Sequence, residues 1–328
     1  MNIYLLTGLL CILSFILTLL IRKYAAKHQI MDIPNERSSH VNPTPRGGGL
    51  AFVLTWYIGI TILFFLKYID SRLYFALLSG LLLACISIID DLVTLKPVIR
   101  LSFQLITAVV AVIILHGIDP LVISGITISS KFLLYPILII GIVWFINLYN
   151  FLDGIDGYAS LEALTIGLFM YIITGENSIL ILIASVLGFF FWNWPTAKIF
   201  MGDVGSTQLG FILVILGIYF HNISELSIIH WMMLSSLFWF DATITLVRRL
   251  KNHEKILEAH KKHAYQRIVQ SGFSHQKTII YSIIVNLPIL GLTWLSIEFP
   301  SVLPLLFVIN MIYLYTVVRL VDKRLPFR

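Results

Sequence analysis

The chain has 328 residues, of which 58% are hydrophobic and only 12% are charged. Ordinary soluble domains are about 25% charged, so this composition excludes a soluble globular protein. The formal net charge is +6, but the basic residues are spread over several separate loops, which argues against a nucleic-acid partner.

The apolar residues form blocks long enough to cross the roughly 30 Å hydrocarbon layer of a bilayer as helices. Eleven blocks lie near 3–21, 48–66, 73–90, 101–118, 132–149, 159–175, 178–193, 206–221, 228–247, 278–296 and 302–320. The block at 178–193 is short, so ten crossings are also possible. The sequence therefore predicts an all-α, polytopic protein of the lipid bilayer, with residues 1–328 forming a single integral-membrane domain.

The distribution of basic residues predicts the orientation. The first block should stay as an uncleaved helix, because Arg22 and Lys23 follow it rather than precede it; a cleaved signal peptide is the alternative. With eleven crossings and the N-terminus outside, all of the 23 Lys and Arg residues except Lys67, Arg72 and Lys131 lie inside. The positive-inside rule thus favours an N-terminus outside and a cytoplasmic C-terminus; in a bacterial inner membrane the outer side is the periplasm.

Nearly every unusual polar residue falls in five loops on the predicted inside, near 22–47, 91–100, 150–158, 194–205 and 248–277. Loops carry function more often than packed helices do. We therefore expect an active site on the cytoplasmic face.

The first inside loop contains the segment 43–49, Pro-Thr-Pro-Arg-Gly-Gly-Gly. Its Arg46 and Gly48 lie where the backbone can approach a ligand closely, and N–H groups at a helix start favour anions. The segment indicates either a phosphate-facing turn or tight packing of the second span.

The third block ends in two adjacent carboxylates, Asp90 and Asp91. Such a pair is costly if it is buried and unpaired, so it indicates a metal site, a proton acceptor or a solvated helix end. Arg100 and Gln104 follow one helical turn apart on one face of the next span. Arg100 would pair with a phosphate or anchor the span at the interface.

The densest polar cluster is the repeat of Asn147, Asn150, Asp153 and Asp156 at every third position. Four amide or acid groups at a membrane boundary favour a binding site over a structural role, and their spacing does not fit a calcium hand. Further along, Asp203 stands between two glycines at the start of the eighth span. It indicates either a metal–phosphate site or an ordinary helix cap.

The last inside loop carries His260 and His263, and then Arg267. The two histidines lack the third and fourth ligands that zinc requires. A cationic surface for a diphosphate is the functional interpretation, and a basic face beside anionic lipid headgroups is the alternative.

These motifs together resemble those of the polyprenyl-phosphate N-acetylhexosamine-1-phosphate transferases, the MraY/WecA-like group of glycosyltransferase family 4. The matching pieces are 43–49, Asp90–Asp91, 147–157 and 200–206. Their order, spacing and side of the membrane fit, and the resemblance is strong over about residues 30 to 270. It implies transfer of a sugar 1-phosphate from a UDP-sugar to undecaprenyl phosphate, with release of UMP, to start a lipid-linked glycan.

The resemblance also implies the roles of residues. Asp90, Asp91, Asp153 and Asp156 would be catalytic, with Asp90 acting as base or orienting group for the acceptor phosphate. Asp203 would bind Mg²⁺, assisted by Asp156, and Mn²⁺ is a possible substitute. The substrate-binding group would comprise Arg46, Gly48, Arg100, Asn147, Asn150, His260, His263 and Arg267. A homodimer is a further possible assembly.

The last loop departs from the best-known members of the family. The peptidoglycan enzyme has three consecutive histidines there and the N-acetylglucosamine enzyme has His-Ile-His-His, whereas this chain has His-Lys-Lys-His at 260–263. That form resembles the branch that starts O-antigen chains, so we expect a donor other than the pentapeptide-carrying one.

Two other classes of membrane protein fit the sequence less well. A flippase for the same lipid intermediates would place its charges near the bilayer midplane, whereas the acids here cluster at one face. An intramembrane prenyltransferase would carry paired Asp-x-x-x-Asp motifs, which the sequence lacks.

Overall fold

A computed structural model describes residues 2–34, 42–93, 95–123, 125–255 and 260–327. The first helices are α1 (Ile3–Lys27), α2 (Gly49–Phe65), α3 (Ser71–Leu78), α4 (Gly80–Val93), α5 (Pro97–Ile114), α6 (Lys131–Phe151) and α7 (Tyr158–Thr174). They are followed by α8 (Asn177–Asn193), α9 (Asp203–Ile223), α10 (Ile228–Leu234), α11 (Ser236–Lys251), α12 (Ala264–Gln270), α13 (His275–Glu298) and α14 (Leu303–Arg324).

Two short antiparallel hairpins complete the described elements. Strand β1 (Met31–Asp32) pairs with β2 (Thr44–Pro45), and β3 (Leu121–Ile123) pairs with β4 (Ile126–Ile128). The first hairpin lies in the first predicted inside loop, and the second lies in a predicted outside loop. Neither crosses the protein, so the membrane-level structure is helical, as the composition predicts.

Each of the eleven apolar blocks contains helix. Within the described ranges, seven segments are long and apolar enough to cross a membrane: α1, α3 with α4, α5, α6, α9, α13 and Pro300–Arg324. Helices α2, α7 and α8 are apolar but have 17 residues each. The ninth block is divided into α10 and α11 at Ser235. The all-α, multi-pass fold is confirmed, whereas the number of crossings and their orientation stay predictions.

Helix α9 lies at the centre of the bundle. Within its apolar window, 89% of the residues are buried inside the protein, and it packs against α2, α4 and α6. Its one strongly polar interior residue, Gln208, accepts a hydrogen bond from Tyr57 Oη at 2.9 Å and donates one to the Gly80 carbonyl at 2.7 Å. Because both of its polar ends are satisfied, this amide can lie among apolar side chains.

The first inside loop is joined to the start of α9 through a close backbone contact. A Cβ atom added at Gly49 would lie 2.5 Å from Gly205 Cα. The Gly48 N–H donates to the Phe200 carbonyl at 2.9 Å and the Gly49 N–H to the Met201 carbonyl at 2.8 Å. Of the two interpretations of this glycine segment, tight packing therefore describes Gly48 and Gly49, and their N–H groups are not available to a phosphate.

The end of α14 anchors α12. Asp322 accepts two hydrogen bonds from Arg248 at 2.9 Å and one from Arg267 at 2.7 Å, and Arg267 also donates to the Leu325 carbonyl at 2.8 Å. The Phe327 ring lies against both guanidinium groups, at 5.3 and 5.4 Å from their central carbons. Arg267 is 4% exposed, so the prediction that it binds substrate is not supported. Its ion pair with Asp322 attaches α12 to α14 instead.

We expect the substitution Asp322→Asn to destabilise the protein by about 1–3 kcal/mol, because it leaves the buried Arg267 guanidinium without its counter-charge. Thermal unfolding of the purified protein in detergent measures the effect as a lowered midpoint. Asp70→Asn is the matched control, because Asp70 caps α3 at its exposed end and Asn caps helices equally well. Equal midpoints for the two variants would contradict the anchoring role.

Candidate active site

The five predicted inside loops meet around one cavity of about 260 Å³. The lining residues come from each loop in turn: Asp32, Arg46, Asp91, Asn150, Asp153, Gly154, Ile155, Asp156, Asn193, Phe200, Met201, Gly202, Asp203, Ser206, Gln266 and His275. Asp32 and His275 are 243 positions apart in the chain yet share this wall. We call it the acidic cavity.

A smaller cavity of about 50 Å³ adjoins the acidic cavity. It is lined by Leu83, Ile86, Ser87, Asp90, Arg100, Gln104, Asn147, Asn150, Phe151, Asp203 and Thr207. Its walls come mainly from the membrane-level helices α4, α5, α6 and α9, and we call it the helix cavity. Asn150 and Asp203 line both cavities, so they form the partition between an aqueous loop region and the helix bundle.

Five carboxylates border the acidic cavity: Asp32, Asp91, Asp153, Asp156 and Asp203. Burial and then the charges of Asp203, Asp156 and Asp91 raise the pKa of Asp153 well above its usual range. Like charges this close together favour protonation of one of them unless a cation neutralises the group. The cavity is therefore suited to a cation.

The partition residue Asp203 is the first residue of α9, and its side chain is 36% exposed. The preceding residue, Gly202, is the N-cap, with a φ of 77°. The interpretation of Asp203 as a helix cap is therefore wrong. The first two N–H groups of α9, those of Asp203 and Val204, donate instead to the two carboxylate oxygens of Asp91 at 3.1 and 3.2 Å. These groups are thus also not free to hold a phosphate, as the anion-site interpretation expected.

Asp90 faces the helix cavity. Its Oδ2 accepts a hydrogen bond from Arg100 Nη1 at 2.9 Å, and its Oδ1 accepts from the Leu95 N–H at 2.6 Å. The same Arg100 nitrogen lies 3.4 Å from Asp203 Oδ2. The Arg100 side chain is 40% exposed, so this cation connects two acids and remains accessible.

The predicted amide residues lie in the partition and behind it. Asn150 donates to Ser206 Oγ at 2.9 Å. Asn147 exchanges hydrogen bonds with Gln104, at 2.6 and 3.3 Å, in the wall of the helix cavity. Asn147 and Asn150 are thus both brought to the site, but Asn147 borders the helix cavity and not the acidic cavity.

On the other side of the acidic cavity, Arg46 lines the wall and donates through Nη2 to the Asp91 carbonyl. Arg46 is thus placed where the sequence predicts. Gly48 is not: it is buried, and its N–H is bonded to the Phe200 carbonyl. The prediction that Gly48 binds substrate is therefore not supported.

Asp156 is held by groups that the sequence analysis missed. Its Oδ2 accepts from the Ala197 N–H at 3.1 Å and lies 3.2 Å from His275 Nδ1. His275 is the first residue of α13 and, with Gln266 of α12, borders the acidic cavity. No motif marks His275 in the sequence, because only the folded chain brings α13 to the 150–158 loop.

The predicted histidine pair lies elsewhere. Among the described residues, neither His260 nor His263 lines the two cavities. Burial and then the neighbouring charges of His263 and Arg249 lower the pKa of His260 to about 4. Burial and then Arg249 lower the pKa of His263 to about 4. Both imidazoles are thus neutral near pH 7, and the prediction that they form a cationic diphosphate surface is not supported.

The acidic cavity fits a hydrated divalent cation held partly by substrate. Among the described residues, no group of three or more acid, histidine or cysteine side chains is arranged as a complete metal site. Mg²⁺, however, usually takes only one or two protein carboxylates and completes its shell with water and phosphate oxygens. Asp203, Asp153 and Asp156 supply that type of ligand beside an accessible cavity.

Comparisons with known proteins agree with this architecture. A family model described as glycosyl transferase family 4 matches residues 73–221. A probable undecaprenyl-phosphate N-acetylglucosaminyl 1-phosphate transferase of Bacillus subtilis is 30% identical over 281 residues, which cover 81% of this chain and 76% of the relative. An undecaprenyl-phosphate alpha-N-acetylglucosaminyl 1-phosphate transferase of Thermotoga maritima is 30% identical over 289 residues, covering 86% and 88%.

A shorter match is a phospho-N-acetylmuramoyl-pentapeptide-transferase of Streptococcus pneumoniae, 31% identical over 204 residues, which cover 55% of this chain and 60% of the relative. Fold and comparisons define a bacterial, multi-pass membrane enzyme of the transferase class. The chain belongs to glycosyl transferase family 4, which confirms the family resemblance of its motifs.

The histidine pair generates a prediction about acid sensitivity. Because the folded-state pKa of each imidazole lies below its unfolded value of about 6.5, their contribution to stability is complete above about pH 6.5 and is lost as the pH falls toward 4. We expect the unfolding midpoint of the wild type in detergent to fall between pH 7.5 and 5, and to fall less in His263→Asn. The exposed His28 provides the control, and a His28→Asn variant as acid-resistant as His263→Asn would contradict this account.

Proposed function

We propose that the enzyme transfers a sugar 1-phosphate from a UDP-sugar to a polyprenyl phosphate, undecaprenyl phosphate in particular, and releases UMP. The observation that carries this proposal is the partition formed by Asn150 and Asp203 between an acidic loop cavity and a cavity among membrane-level helices. A water-soluble donor and a lipid acceptor must meet at such a boundary. The names of the Bacillus and Thermotoga relatives describe the same reaction type.

The charges on the two sides suit two phosphate substrates. The donor diphosphate would lie in the acidic cavity beside Arg46, and the acceptor phosphate would enter the helix cavity beside the accessible Arg100. An acceptor oxygen then attacks the sugar-linked phosphorus, and the bond from that phosphorus to the oxygen of the UMP phosphate breaks. The cationic side chains of Arg46 and Arg100 would lie on opposite sides of the reacting phosphorus and reduce the repulsion between the donor diphosphate and the acceptor phosphate.

Asp90 acts in this scheme as an orienting group for Arg100. Both of its carboxylate oxygens already accept hydrogen bonds, from Arg100 and from the Leu95 N–H. A phosphate monoester has a second pKa near 6 and is largely ionised at pH 7, so the acceptor does not require a strong base.

The proposed cofactor is Mg²⁺, with Mn²⁺ as a substitute, held by Asp203 together with Asp153 or Asp156. A divalent ion bound to a phosphoryl oxygen acts as a Lewis acid and offsets the charge that develops on the leaving UMP. The Asn150 amide donates to Ser206 Oγ and borders the acidic cavity together with Asp203. The Asp203 carboxylate borders both cavities, so it is accessible from the acidic cavity as well as from the helix cavity.

The proposed donor sugar is an N-acetylated hexosamine, and the product would start a lipid-linked glycan such as an O-antigen or another envelope polysaccharide. Support for the sugar comes from the names of the relatives that cover most of this chain, and the last loop differs from the peptidoglycan enzyme. Gln266 and His275 are the residues of the last loop and α13 that border the donor side.

The reaction is tested by UMP release from purified protein in detergent with undecaprenyl phosphate, Mg²⁺ and a panel of UDP-sugars. We expect release with at least one UDP-N-acetylhexosamine and none with the pentapeptide-carrying muramoyl donor. Omission of the lipid phosphate is the control. Robust turnover of the pentapeptide donor would reject the donor class, and no lipid-dependent UMP release with any sugar would reject the reaction.

The metal assignment is tested by Asp203→Asn, which removes the charge and keeps the size. We expect a loss of turnover of about 100-fold or more and weaker Mn²⁺ binding measured by electron paramagnetic resonance, with the fold intact because the side chain is partly exposed. Asp90→Asn is the comparison, and it should slow the reaction while leaving the Mg²⁺ dependence similar. If Asp203→Asn keeps normal activity and metal response, Asp153 or Asp156 becomes the principal ligand.

A further inference from the structure

The two adjacent acids at the end of α4 have different partners, although they are neighbours in the chain. Asp90 contacts Arg100 and the Leu95 N–H. Asp91 directs both carboxylate oxygens to the first two N–H groups of α9. Consecutive residues of a helix point about 100° apart, so one acid faces the helix cavity and the other faces the start of α9.

Helix α9 needs an external cap. The first N–H groups of a helix have no partner within it, and a side chain at the N-cap usually supplies one. Here the N-cap is Gly202, which has no side chain to do so. The Asp91 carboxylate from α4 takes that place, and its negative charge is also favourable at the positive end of the α9 dipole.

Gly202 leaves the space that this contact requires. Its φ of 77° is in the left-handed region that favours glycine. A Cβ atom at this position would lie 3.0 Å from Asp91 Oδ2 and 3.2 Å from Gly47 Cα. Because Gly202 has no side chain, the Asp91 carboxylate can reach the N–H groups of Asp203 and Val204.

The first inside loop also stabilises the contact between Asp91 and the start of α9. Arg46 donates to the carbonyl of Asp91, and the Gly49 N–H bonds to the Met201 carbonyl just before α9. The end of α4, the loop before α2 and the start of α9 are therefore fixed relative to one another at this point. Asp203, as the first residue of α9, has its backbone orientation fixed by these bonds.

We propose that Asp91 is a positioning residue: its carboxylate caps α9 and thereby aims the Asp203 carboxylate into the acidic cavity, and it does not contact the substrate. This inference rests on the proposed function of Asp203 as metal ligand. It assigns the two acids separate tasks, with Asp90 orienting Arg100 toward the acceptor and Asp91 orienting Asp203 toward the cation.

The charge-matched pair Asp91→Asn and Asp91→Ala separates capping from charge. Both variants lose the negative charge, but Asn keeps an oxygen that can accept from the start of α9 and is among the best N-cap residues. We expect Asp91→Ala to bind Mn²⁺ at least about threefold more weakly than Asp91→Asn, by electron paramagnetic resonance without substrates. Backbone amide exchange at Asp203 and Val204 should be faster in the Ala variant for the same reason.

Kinetics give a second readout. We expect the two Asp91 variants to differ in kcat at a fixed Mg²⁺ concentration while sharing the KM for the lipid phosphate, whereas Asp90→Asn and Asp90→Ala should change that KM. Equal Mn²⁺ affinity and equal amide exchange in the two Asp91 variants would overturn the proposal. An Asn variant that is inactive but binds Mn²⁺ and protects its amides normally would also overturn it, because Asp91 would then act on substrate.

The binding and exchange measurements do not require turnover. If no UDP-sugar is used at all, the proposed reaction fails while the difference between the Asn and Ala variants still decides the role of Asp91. If Asp203→Asn binds Mn²⁺ normally, the metal assignment fails and the positioning proposal fails with it, even where lipid-dependent UMP release is observed.

Discussion

The contact of the Gly49 backbone with Gly205 is the constraint on which the site depends. It brings the loop before α2 within hydrogen-bond distance of the segment that leads into α9, and a side chain on either glycine would separate them. Small residues permit this kind of close approach between membrane helices, where packing rather than the hydrophobic effect drives association. Because the loop is held there, Arg46 can donate to the Asp91 carbonyl at the end of α4 and line one side of the acidic cavity.

The second constraint is charge. Several carboxylates lie at the boundary of an apolar bundle, together with the half-buried Arg46 and the accessible Arg100. Such an arrangement is unfavourable for stability alone, because like charges raise one another's pKa and buried ions lose hydration. In the proposed reaction, a divalent cation and two phosphates would offset this cost, because each new charge would lie beside an opposite one. Burial and then the neighbouring carboxylates raise the pKa of Asp153 well above its usual range, which reflects the same cost.

The position of α12 separates structural from functional parts of the last loop. Arg267 and Asp322 fix the helix to α14, whereas the preceding Gln266 borders the acidic cavity. Tyr265 between them donates to the Phe151 carbonyl at 3.2 Å, at the base of the 150–158 loop. Arg248 and Arg267 thus hold this loop to α14. The contribution of the loop to the acidic cavity is made by Gln266 and His275.

The helical membrane fold, the five polar loops and the acids that border the cavities could all be predicted from the sequence alone. These follow from block length, from charge placement and from the cost of leaving carboxylates at a membrane boundary. Asp90, Asp91, Asp153, Asp156 and Asp203 all border the cavities, as do Arg46, Arg100, Asn147 and Asn150. Local pattern was sufficient for these residues because a charged or amide side chain at a membrane boundary is unfavourable unless it has polar partners.

The partner of each polar group, by contrast, is set by the folded chain. Gly48, His260, His263 and Arg267 belong to sequence motifs, yet the fold places them in packing, in a neutral imidazole pair and in an anchor to α14. His275 lies outside every motif and still meets Asp156. The reason is that hydrogen bonds and ion pairs act over about 3 Å, while the partners are separated by up to 152 positions in the chain, as Gly48 and Phe200 are. Contacts between positions that far apart are set by helix packing, which local sequence patterns do not specify.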